Sequence, residues 1–279
     1  MIMGSYPSEE YEAVSNTEMT LLRLSMLGPV EVWFGADPVA IQQQKPQMLL
    51  AMLARGAGRV VSIDELIDGL WGIDDSPDSA VATIRNFVWS VRRQLSVHQD
   101  DSTDALVSVR GGYRLALPVD TDADAAERLR VTAEMARAAG HLDAADRDVL
   151  AALALWRGDP LSGAPGPWAA AERARLRRLR RTLQELSIEI ASATGEHDRA
   201  ITEVESLRIA DPHCERLTAL MMTALHESGR RTEALTVYLD ARRQLVADLG
   251  LEPGAALTAL HHRILTDEVA PRRCEICAS

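Results

Sequence analysis

The chain has 279 residues, enough for two domains of ordinary size, and a formal net charge of −11 at pH 7. This acidic balance argues against a protein that coats nucleic acid or a membrane surface through an overall basic face, but it leaves room for a short basic element. Lys45 is the only lysine and lies between glutamine and proline, so the Gly-Lys-Ser/Thr loop of Walker A nucleotide binding is excluded. The chain has three cysteines and no apolar run of the about 18–20 residues that span a membrane, so we expect a cytoplasmic protein.

The first third of the chain predicts a small sheet followed by helices. Residues 1–20 are polar and acidic with no hydrophobic period, so we expect a disordered tail there. Between Leu22 and Ile41 the short runs LRLSML, PVEVWF and PVAI, separated by glycine turns, predict a three-stranded antiparallel meander. The segment KPQMLLAMLARGAG then predicts a helix ended by glycine, and SIDELIDGLWG predicts a second helix whose capping box pairs Ser62 with Glu65.

The next stretch, SPDSAVATIRNFVWSVRRQL, predicts an amphipathic helix with one polar face of unusual composition. Its apolar face is a stripe at helical spacing, formed by Ile84, Val88, Val91 and Leu95. Ser76, followed by proline, predicts the start of this helix. The opposite face presents Arg, Asn, Thr and Ser, with no acid between Asp78 and Leu95, and these side chains are the ones that reach base edges and phosphates. A solvated helix face is the alternative interpretation.

The segment that follows favours the DNA-binding interpretation. ALVSVRGGYRLAL has two β-rich runs around Gly111-Gly112, which predicts a hairpin with Arg110 at its tip. The resulting order of sheet, three helices and hairpin is that of a winged helix-turn-helix. We therefore predict an N-terminal α+β winged helix-turn-helix domain.

The second half of the chain predicts an all-α domain. From Asp122 onward the sequence is nearly all amphipathic helix, and the segment that starts at Gly195 recurs at Gly229, a spacing of 34 residues that is the tetratricopeptide period. An arginine-rich helix from about Ala169 to Thr194 has acids close by, which favours intramolecular ion pairs or a partner contact over a DNA surface. The predicted fold class is therefore multidomain, with a C-terminal all-α tetratricopeptide-like helical repeat domain after the winged helix.

Two sets of motifs resemble known domains. LIDGLWG, VRRQL and VRGGYRL, in this order after the meander, resemble the OmpR/PhoB-type winged-helix DNA-binding domain. LALWRGDPL, WAAAERARL and RRQLVADLGLEPGAALTALHHRIL closely resemble the bacterial transcriptional activation domain. The ordered pair is similar to the Streptomyces antibiotic regulatory protein family, over roughly Leu22 to Asp267.

The resemblance implies a division of the chain and a two-component-like architecture without a receiver domain. The expected segments are a disordered acidic tail at 1–20, the OmpR/PhoB-type domain at 21–119, the transcriptional activation domain at 120–268 and a flexible tail at 269–279. It also implies a sequence-specific transcriptional activator of a secondary-metabolite (antibiotic) gene cluster. The implied partners are double-stranded DNA with direct repeats near promoters, RNA polymerase holoenzyme through its sigma subunit or alpha C-terminal domain, and a second copy of the chain, at least on DNA.

Nine residues form the predicted DNA-binding set. The candidates for base edges or adjacent backbone in the major groove are Ser79, Thr83, Asn86 and Arg93. The candidates for phosphates are Arg85, Ser90 and Arg92. Trp89 lies on the same face and either stacks on a sugar–phosphate edge or fills a protein contact. A minor-groove role for Arg110 is implied by the resemblance, because the family's wing arginine occupies the matching position in VRGGY.

The sequence contains no pattern of catalytic residues, so we expect neither enzyme activity nor a cofactor. Cys274 and Cys277 have zinc-knuckle spacing, but zinc needs four ligands and no second pair is present, so we expect no metal site. Two alternatives to the activator stay open at this stage. One is a repressor of the same architecture, and the other is a tetratricopeptide-like scaffold whose winged helix binds protein.

Overall fold

The computed structural model describes residues 21–97 and 105–266, which divide into two compact units. The N-terminal unit comprises the residues up to Arg128 together with Ala154–Leu179, and the helical unit comprises Leu129–Leu153 and the residues from Arg180 onward. The tails predicted at 1–20 and 269–279, with their cysteine pair, lie outside the described residues. In the described part of the chain, no cluster of histidine, cysteine and acidic side chains is arranged to hold a metal ion.

The described residues contain seven strands and ten helices. In chain order they are β1 (Leu22–Ser25), β2 (Glu31–Phe34), β3 (Asp37–Pro38), α1 (Gln44–Arg55), β4 (Val61–Ser62), α2 (Ile63–Trp71), α3 (Ala80–Ser96), β5 (Leu106–Val109), β6 (Gly112–Leu115), β7 (Val119–Thr121), α4 (Asp122–Ala138), α5 (Leu142–Ala154), α6 (Pro167–Thr194), α7 (His197–Ala210), α8 (Glu215–Glu227), α9 (Arg231–Leu249) and α10 (Ala255–Thr266). The predicted order of sheet, three helices and hairpin is confirmed.

Two small sheets frame the three N-terminal helices. The first has the strand order β3-β2-β1-β7, and its antiparallel pairs place Leu22 opposite Phe34, as expected for the predicted meander. The sequence did not predict β7, which pairs with β1 in the parallel direction and places Val119 opposite Leu22. The second sheet has the order β4-β6-β5 and joins the strand before α2 to the predicted hairpin.

The capping box before α2 forms as predicted. The backbone N–H of Glu65 donates to Ser62 Oγ at 3.0 Å, and the backbone N–H of Ser62 donates to Glu65 Oε2 at 2.9 Å. The hydrogen bond from Ser62, aided by the guanidinium of Arg59, lowers the pKa of Glu65 below its ordinary value. This cap fixes the first turn of α2, the helix that precedes α3.

The predicted start of α3 at Ser76 is wrong, whereas its predicted apolar face is confirmed. The helix begins at Ala80, because the Ala80 N–H donates to the Pro77 carbonyl at 2.8 Å and closes a turn in which the proline lies. The N-cap is Ser79, whose hydroxyl makes no capping hydrogen bond. The stripe residues are all fully buried or nearly so: Ile84, Val88, Val91 and Leu95.

Residues 154–179, which we call the strap, belong to the N-terminal unit although they lie in the predicted second domain. The Arg157 N–H donates to the Leu27 carbonyl at 2.7 Å, and the Leu161 N–H donates to the Met26 carbonyl at 2.9 Å. The Arg157 guanidinium also pairs with Glu31 at 2.7 Å. The strap is therefore hydrogen-bonded to the turn that follows β1.

A largely buried carboxylate binds the same turn after β1. Asp122, the first residue of α4, accepts the backbone N–H groups of Met26 at 2.7 Å and Leu27 at 3.0 Å. Burial raises the pKa of Asp122 above its ordinary value, although both hydrogen bonds act in the opposite direction. The compact N-terminal unit thus continues past residue 119, and the domain boundary placed there stays a prediction.

The helical unit repeats one turn at the predicted period. Gly195 has φ 86° and Gly229 has φ 80°, a left-handed conformation that glycine adopts without strain, and in each case the next helix begins two residues later. The helices α7 to α10 enclose an apolar core that includes Val204, Leu217 and Met222. The predicted fold class, an α+β winged helix and a helical repeat domain, is confirmed.

Candidate nucleic-acid interface

Helix α3 is held in the N-terminal unit by its apolar stripe and by an aromatic stack. The rings of Trp71, at the end of α2, and Phe87 are nearly parallel, with centroids 6.1 Å apart. Lys45 on α1 places its Nζ over the Trp71 ring, 4.4 Å from the centroid. The stack therefore connects all three helices.

The polar face of α3 is exposed. Arg85, Asn86 and Arg93 are exposed, and Trp89 is 62% exposed with the guanidinium carbon of Arg93 at 5.5 Å from its ring centroid. Exposed Ala82 shares this face, so a row at i, i+4, i+7 and i+11 runs for about 17 Å along the helix axis. A row of that length fits the major groove of B-form DNA, which admits a helix.

The predicted hydroxyl residues differ in how available they are. Ser79 is exposed, and its hydroxyl is left unused by the cap. Thr83 is half-buried, and its hydroxyl donates to the Ser79 carbonyl at 3.0 Å, so toward a base it offers an acceptor oxygen and a methyl group. Ser90 is half-buried on the flank of the helix.

Arg92 has partners inside the protein. Its Nε and Nη2 donate to the Leu106 carbonyl at 2.9 and 2.6 Å, and Nη2 also donates to Ser108 Oγ at 3.0 Å. These bonds attach α3 to the first strand of the hairpin. The phosphate contact predicted for Arg92 stays a prediction, and two of the three guanidinium nitrogens are already engaged.

The hairpin between β5 and β6 forms the wing. Arg110 is exposed at its tip, next to Gly111 with φ 85°. At Gly112 a Cβ atom would lie 2.2 Å from the Val61 carbonyl oxygen, so only glycine permits the close pairing of β6 with β4. The two glycines thus shape a turn that presents Arg110 to solvent.

The arginines of this face differ from most others in the chain. Arg85, Arg93 and Arg110 make no ion pair within the described residues. By contrast, several arginines of α6 form intramolecular ion pairs, one of the two roles that the sequence favours for them: Arg175 lies 2.7 Å from Glu172, and Arg177 lies 2.8 Å from Asp159. The α3 and wing surface therefore carries positive charge that no described acid of the chain neutralises.

Two exposed residues of this region were not among the predicted set. Ala82 is small and apolar, which gave no signal for binding, yet it is exposed and begins the row along the polar face of α3. Arg114 is exposed on β6, and the inward and outward alternation of the GYRL strand could have identified it.

Comparisons with known proteins agree with this geometry. The family model of the bacterial transcriptional activator domain matches residues 121–265, and that of the C-terminal domain of transcriptional regulatory proteins matches residues 41–115. The regulatory protein DnrI of Streptomyces peucetius is 36% identical over 251 residues, which cover 88% of this chain and 92% of DnrI. The chain belongs to the Streptomyces antibiotic regulatory protein family. The regulatory protein AfsR of Streptomyces griseus, another relative, is 39% identical over 245 residues.

The family includes larger proteins, and this chain matches only part of them. The matched region is 88% of this chain but 24% of Streptomyces griseus AfsR, so the chain spans about a quarter of that relative. Among solved structures, Mycobacterium tuberculosis EmbR, in a complex with a low affinity phosphopeptide, has 30% identity and a TM-score of 0.81, covering 88% of this chain and 65% of EmbR. Within the residues described, none of the helices has the length and apolar character to cross a membrane.

Proposed function

We propose that this family member is a cytoplasmic, sequence-specific DNA-binding transcriptional activator of a secondary-metabolite (antibiotic) gene cluster, and that it acts without enzyme activity. The recognition helix α3 enters the major groove, the wing enters the adjacent minor groove, and the helical unit contacts RNA polymerase. The family match and the relatives, which are named as regulatory proteins, support transcriptional regulation. The promoter arrangement, the polymerase contact and the pathway are parts of the proposal that go beyond them.

The observation that carries the proposal is the surface of arginines without ion pairs. The chain has a formal net charge of −11, yet Arg85, Arg93 and Arg110 have no acidic partner among the described residues. DNA phosphates supply the missing counter-charge, and each neutralised phosphate releases condensed counterions with a slope of about −0.9 in log K against log salt. A protein scaffold has no comparable need for an acid-free face.

The side chains divide between sequence reading and positioning. Arg93 suits a bidentate contact with the O6 and N7 atoms of guanine, and Asn86 suits the N6 and N7 atoms of adenine. Ser79 and Thr83 contact a base edge or the neighbouring backbone, whereas Arg85 and Ser90 contact phosphates. Trp89 stacks on a sugar–phosphate edge beside Arg93, and Arg110 enters the minor groove.

The operator follows from the asymmetry of one winged helix. One subunit covers about one helical turn, so two head-to-tail subunits on direct repeats spaced near 10–11 base pairs, or a multiple of that, lie on one face of the DNA. The second copy is required at least on DNA. The acidic helical unit is then available to the sigma subunit or the alpha C-terminal domain of the polymerase.

The test is transcription in vitro with purified polymerase and two promoter templates. One template carries the intact repeats, and the other has about five base pairs inserted between them, which rotates one subunit by half a turn. We expect activation from the first template and none from the second. Equal activation from both would contradict the repeat model, and repression from the intact template would favour a repressor of the same architecture.

A further inference from the structure

One side chain joins the two DNA-reading elements of the N-terminal unit. The fork of Arg92 on α3 donates from Nε and Nη2 to the carbonyl of Leu106, and from Nη2 to the hydroxyl of Ser108. Both acceptors lie on β5, the outer strand in the order β4-β6-β5. A single guanidinium therefore spans from the recognition helix to β5, the outer strand of the wing sheet.

The carbonyl that Arg92 binds has no partner among the strands that the structure describes. The Ala116 N–H donates to the Ala105 carbonyl at 2.8 Å, so Ala105 opposite Ala116 is a hydrogen-bonded position. Hydrogen-bonded and non-hydrogen-bonded positions alternate along an antiparallel pair, so Leu106, opposite Leu115, directs its carbonyl away from β6. Charge-assisted bonds from a planar fork are among the strong ones, so Arg92 is well suited to hold this edge.

The hydrogen bond between Arg92 and Leu106 connects the residues that contact the two grooves. Arg92 directly precedes Arg93, whose side chain lies on the exposed face of the helix. Arg110 at the wing tip is four residues from Leu106, about 13 Å along an extended strand. A shift of the strand at Leu106 is therefore carried to the wing tip, while the buried stripe keeps α3 in place.

We propose that Arg92 is a positioning residue for DNA recognition, which sets where Arg110 enters the minor groove while α3 occupies the major groove. This inference rests on the proposed function, because it assumes that both elements bind one duplex. It differs from the role that the sequence predicts for Arg92, a direct phosphate contact. A phosphate contact acts independently of Arg110, whereas a positioning residue acts through it.

A double-mutant cycle separates the two roles. The probe is a duplex that the full chain selects from a random-sequence pool, and its affinity is measured for the wild type, Arg92→Ala, Arg110→Ala and the double variant. We expect each single variant to bind about tenfold more weakly and the double variant to be within about twofold of Arg110→Ala, because coupled residues are not additive. If the loss of affinity in the double variant equals the product of the two single losses, the proposal is overturned.

Matched variants control for charge and for folding. Arg85→Ala removes an arginine of the same helix that has no partner in the described residues, and its penalty should multiply with that of Arg110→Ala. Arg92→Lys keeps the charge but loses the planar fork, so it should behave like Arg92→Ala and serves in its place if the alanine variant does not fold. Wild-type affinity for Arg92→Lys would overturn the proposal.

A structural readout distinguishes failure of this inference from failure of the proposed function. Hydroxyl-radical footprints should show that Arg92→Ala loses protection in the minor groove next to the site while the centre of the footprint persists. Uniform weakening across the footprint would support the phosphate contact and overturn the positioning role. If the wild-type chain selects no duplex at all, the proposed function fails before Arg92 is considered.

Discussion

Arginines fulfil opposite roles in two regions of this molecule. In the helical unit and the strap they are bound within the chain: Arg199 pairs with Asp146 at 2.5 Å, Arg216 pairs with Glu189 at 2.6 Å, and Arg173 donates to the carbonyls of three strap residues. On α3 and the wing tip, Arg85 and Arg110 have no such partner among the described residues. Arginine thus holds the fold together in one region and remains available to an external anion in the other.

The difference shows that arginine content alone is a poor guide to a nucleic-acid surface. The arginine-rich segment of α6 has the higher local density of positive charge, yet its side chains are largely neutralised by neighbouring acids such as Glu172 and Asp159. The segment that remains positive is α3, which has no acid between Asp78 and Leu95. What matters for an external anion is the charge left after internal pairing.

The largest expected effect comes from removing equal charge from the two regions. Alanine at Arg85, Arg93 and Arg110 together should weaken binding to a selected duplex at least about 100-fold, because each contact to a base or phosphate contributes about 1 kcal/mol or more. Thermal stability should change little, since none of the three makes an ion pair in the described residues. Fluorescence anisotropy and a thermal melt measure the two effects.

The matched control removes three arginines that are exposed and paired. Arg177, Arg242 and Arg243 pair with Asp159, Glu252 and Asp240, respectively, and all three side chains are more than half exposed. Their triple alanine variant has the same net charge as the first, so a general electrostatic effect would weaken both equally. We expect the control to bind DNA like the wild type. Equal loss in both variants would show that no local surface exists.

The next largest effect concerns stability and the strap, whose arginines bind other residues of the chain. Gly166 has φ 95°, and a Cβ there would lie 2.9 Å from the Gly69 carbonyl oxygen on α2. Gly166→Ala should therefore destabilise the protein by about 2–4 kcal/mol, the sum of left-handed strain and overpacking. Gly163 has φ 73°, but a Cβ there would have its nearest neighbour at 3.5 Å. Gly163→Ala should therefore lower the free energy of unfolding by only about 1–2 kcal/mol.

Chemical denaturation of both glycine variants provides the measurement. A similar loss of unfolding free energy in Gly166→Ala and Gly163→Ala would mean that the close approach of the strap to α2 is unimportant for stability. A larger loss at Gly166, accompanied by loss of DNA binding, would show that the strap supports the helix that packs against α3.

The sequence predicted elements that depend on local patterns. The stripe from Ile84 to Leu95 follows helical periodicity, and the cap at Ser62 follows a motif four residues long. The start of α3 was misplaced, because Ser76 followed by proline also suits the turn that precedes the helix. Such local signals identify an element more reliably than its first residue.

Features that depend on distant partners were not predicted. β7 has only three residues, and its partner β1 lies nearly a hundred residues earlier, so no periodicity indicates the pair. The start of the strap reads as an irregular loop, because its bonding partners, Met26 and Leu27, lie in the turn after β1, far away along the chain. Arg92 has the same limitation, since helical position alone placed it near phosphates and only the fold reveals Leu106 as its acceptor.

A smaller effect is expected in the salt dependence of binding. Arg85→Ala should reduce the slope of log affinity against log salt by about one, because one phosphate contact and its counterion release are lost. Arg59→Ala is the control on the same unit, since this arginine already pairs with Glu65 at 3.2 Å. Its slope should equal that of the wild type. A reduced slope for Arg59→Ala alone would move the phosphate contact from α3 to the loop between α1 and β4.

The smallest effect concerns the stability that the Glu65 cap provides. Hydrogen bonding from the Ser62 backbone lowers the pKa of Glu65 below 4.5 in the folded state. The folded state therefore binds fewer protons than the unfolded state just below that pH, so this stabilisation is present above pH 4.5 and is lost as the pH falls through the folded pKa. Because the side chain is largely exposed, solvent screening keeps the effect small.

Melting temperatures from pH 6 to pH 3 should fall slightly less for Glu65→Gln than for the wild type, with Asp64→Asn, which preserves the capping box, as the control. Identical pH profiles for Glu65→Gln and the wild type would mean that the charge of Glu65 contributes nothing to the cap, and that its hydrogen bond to Ser62 acts without it.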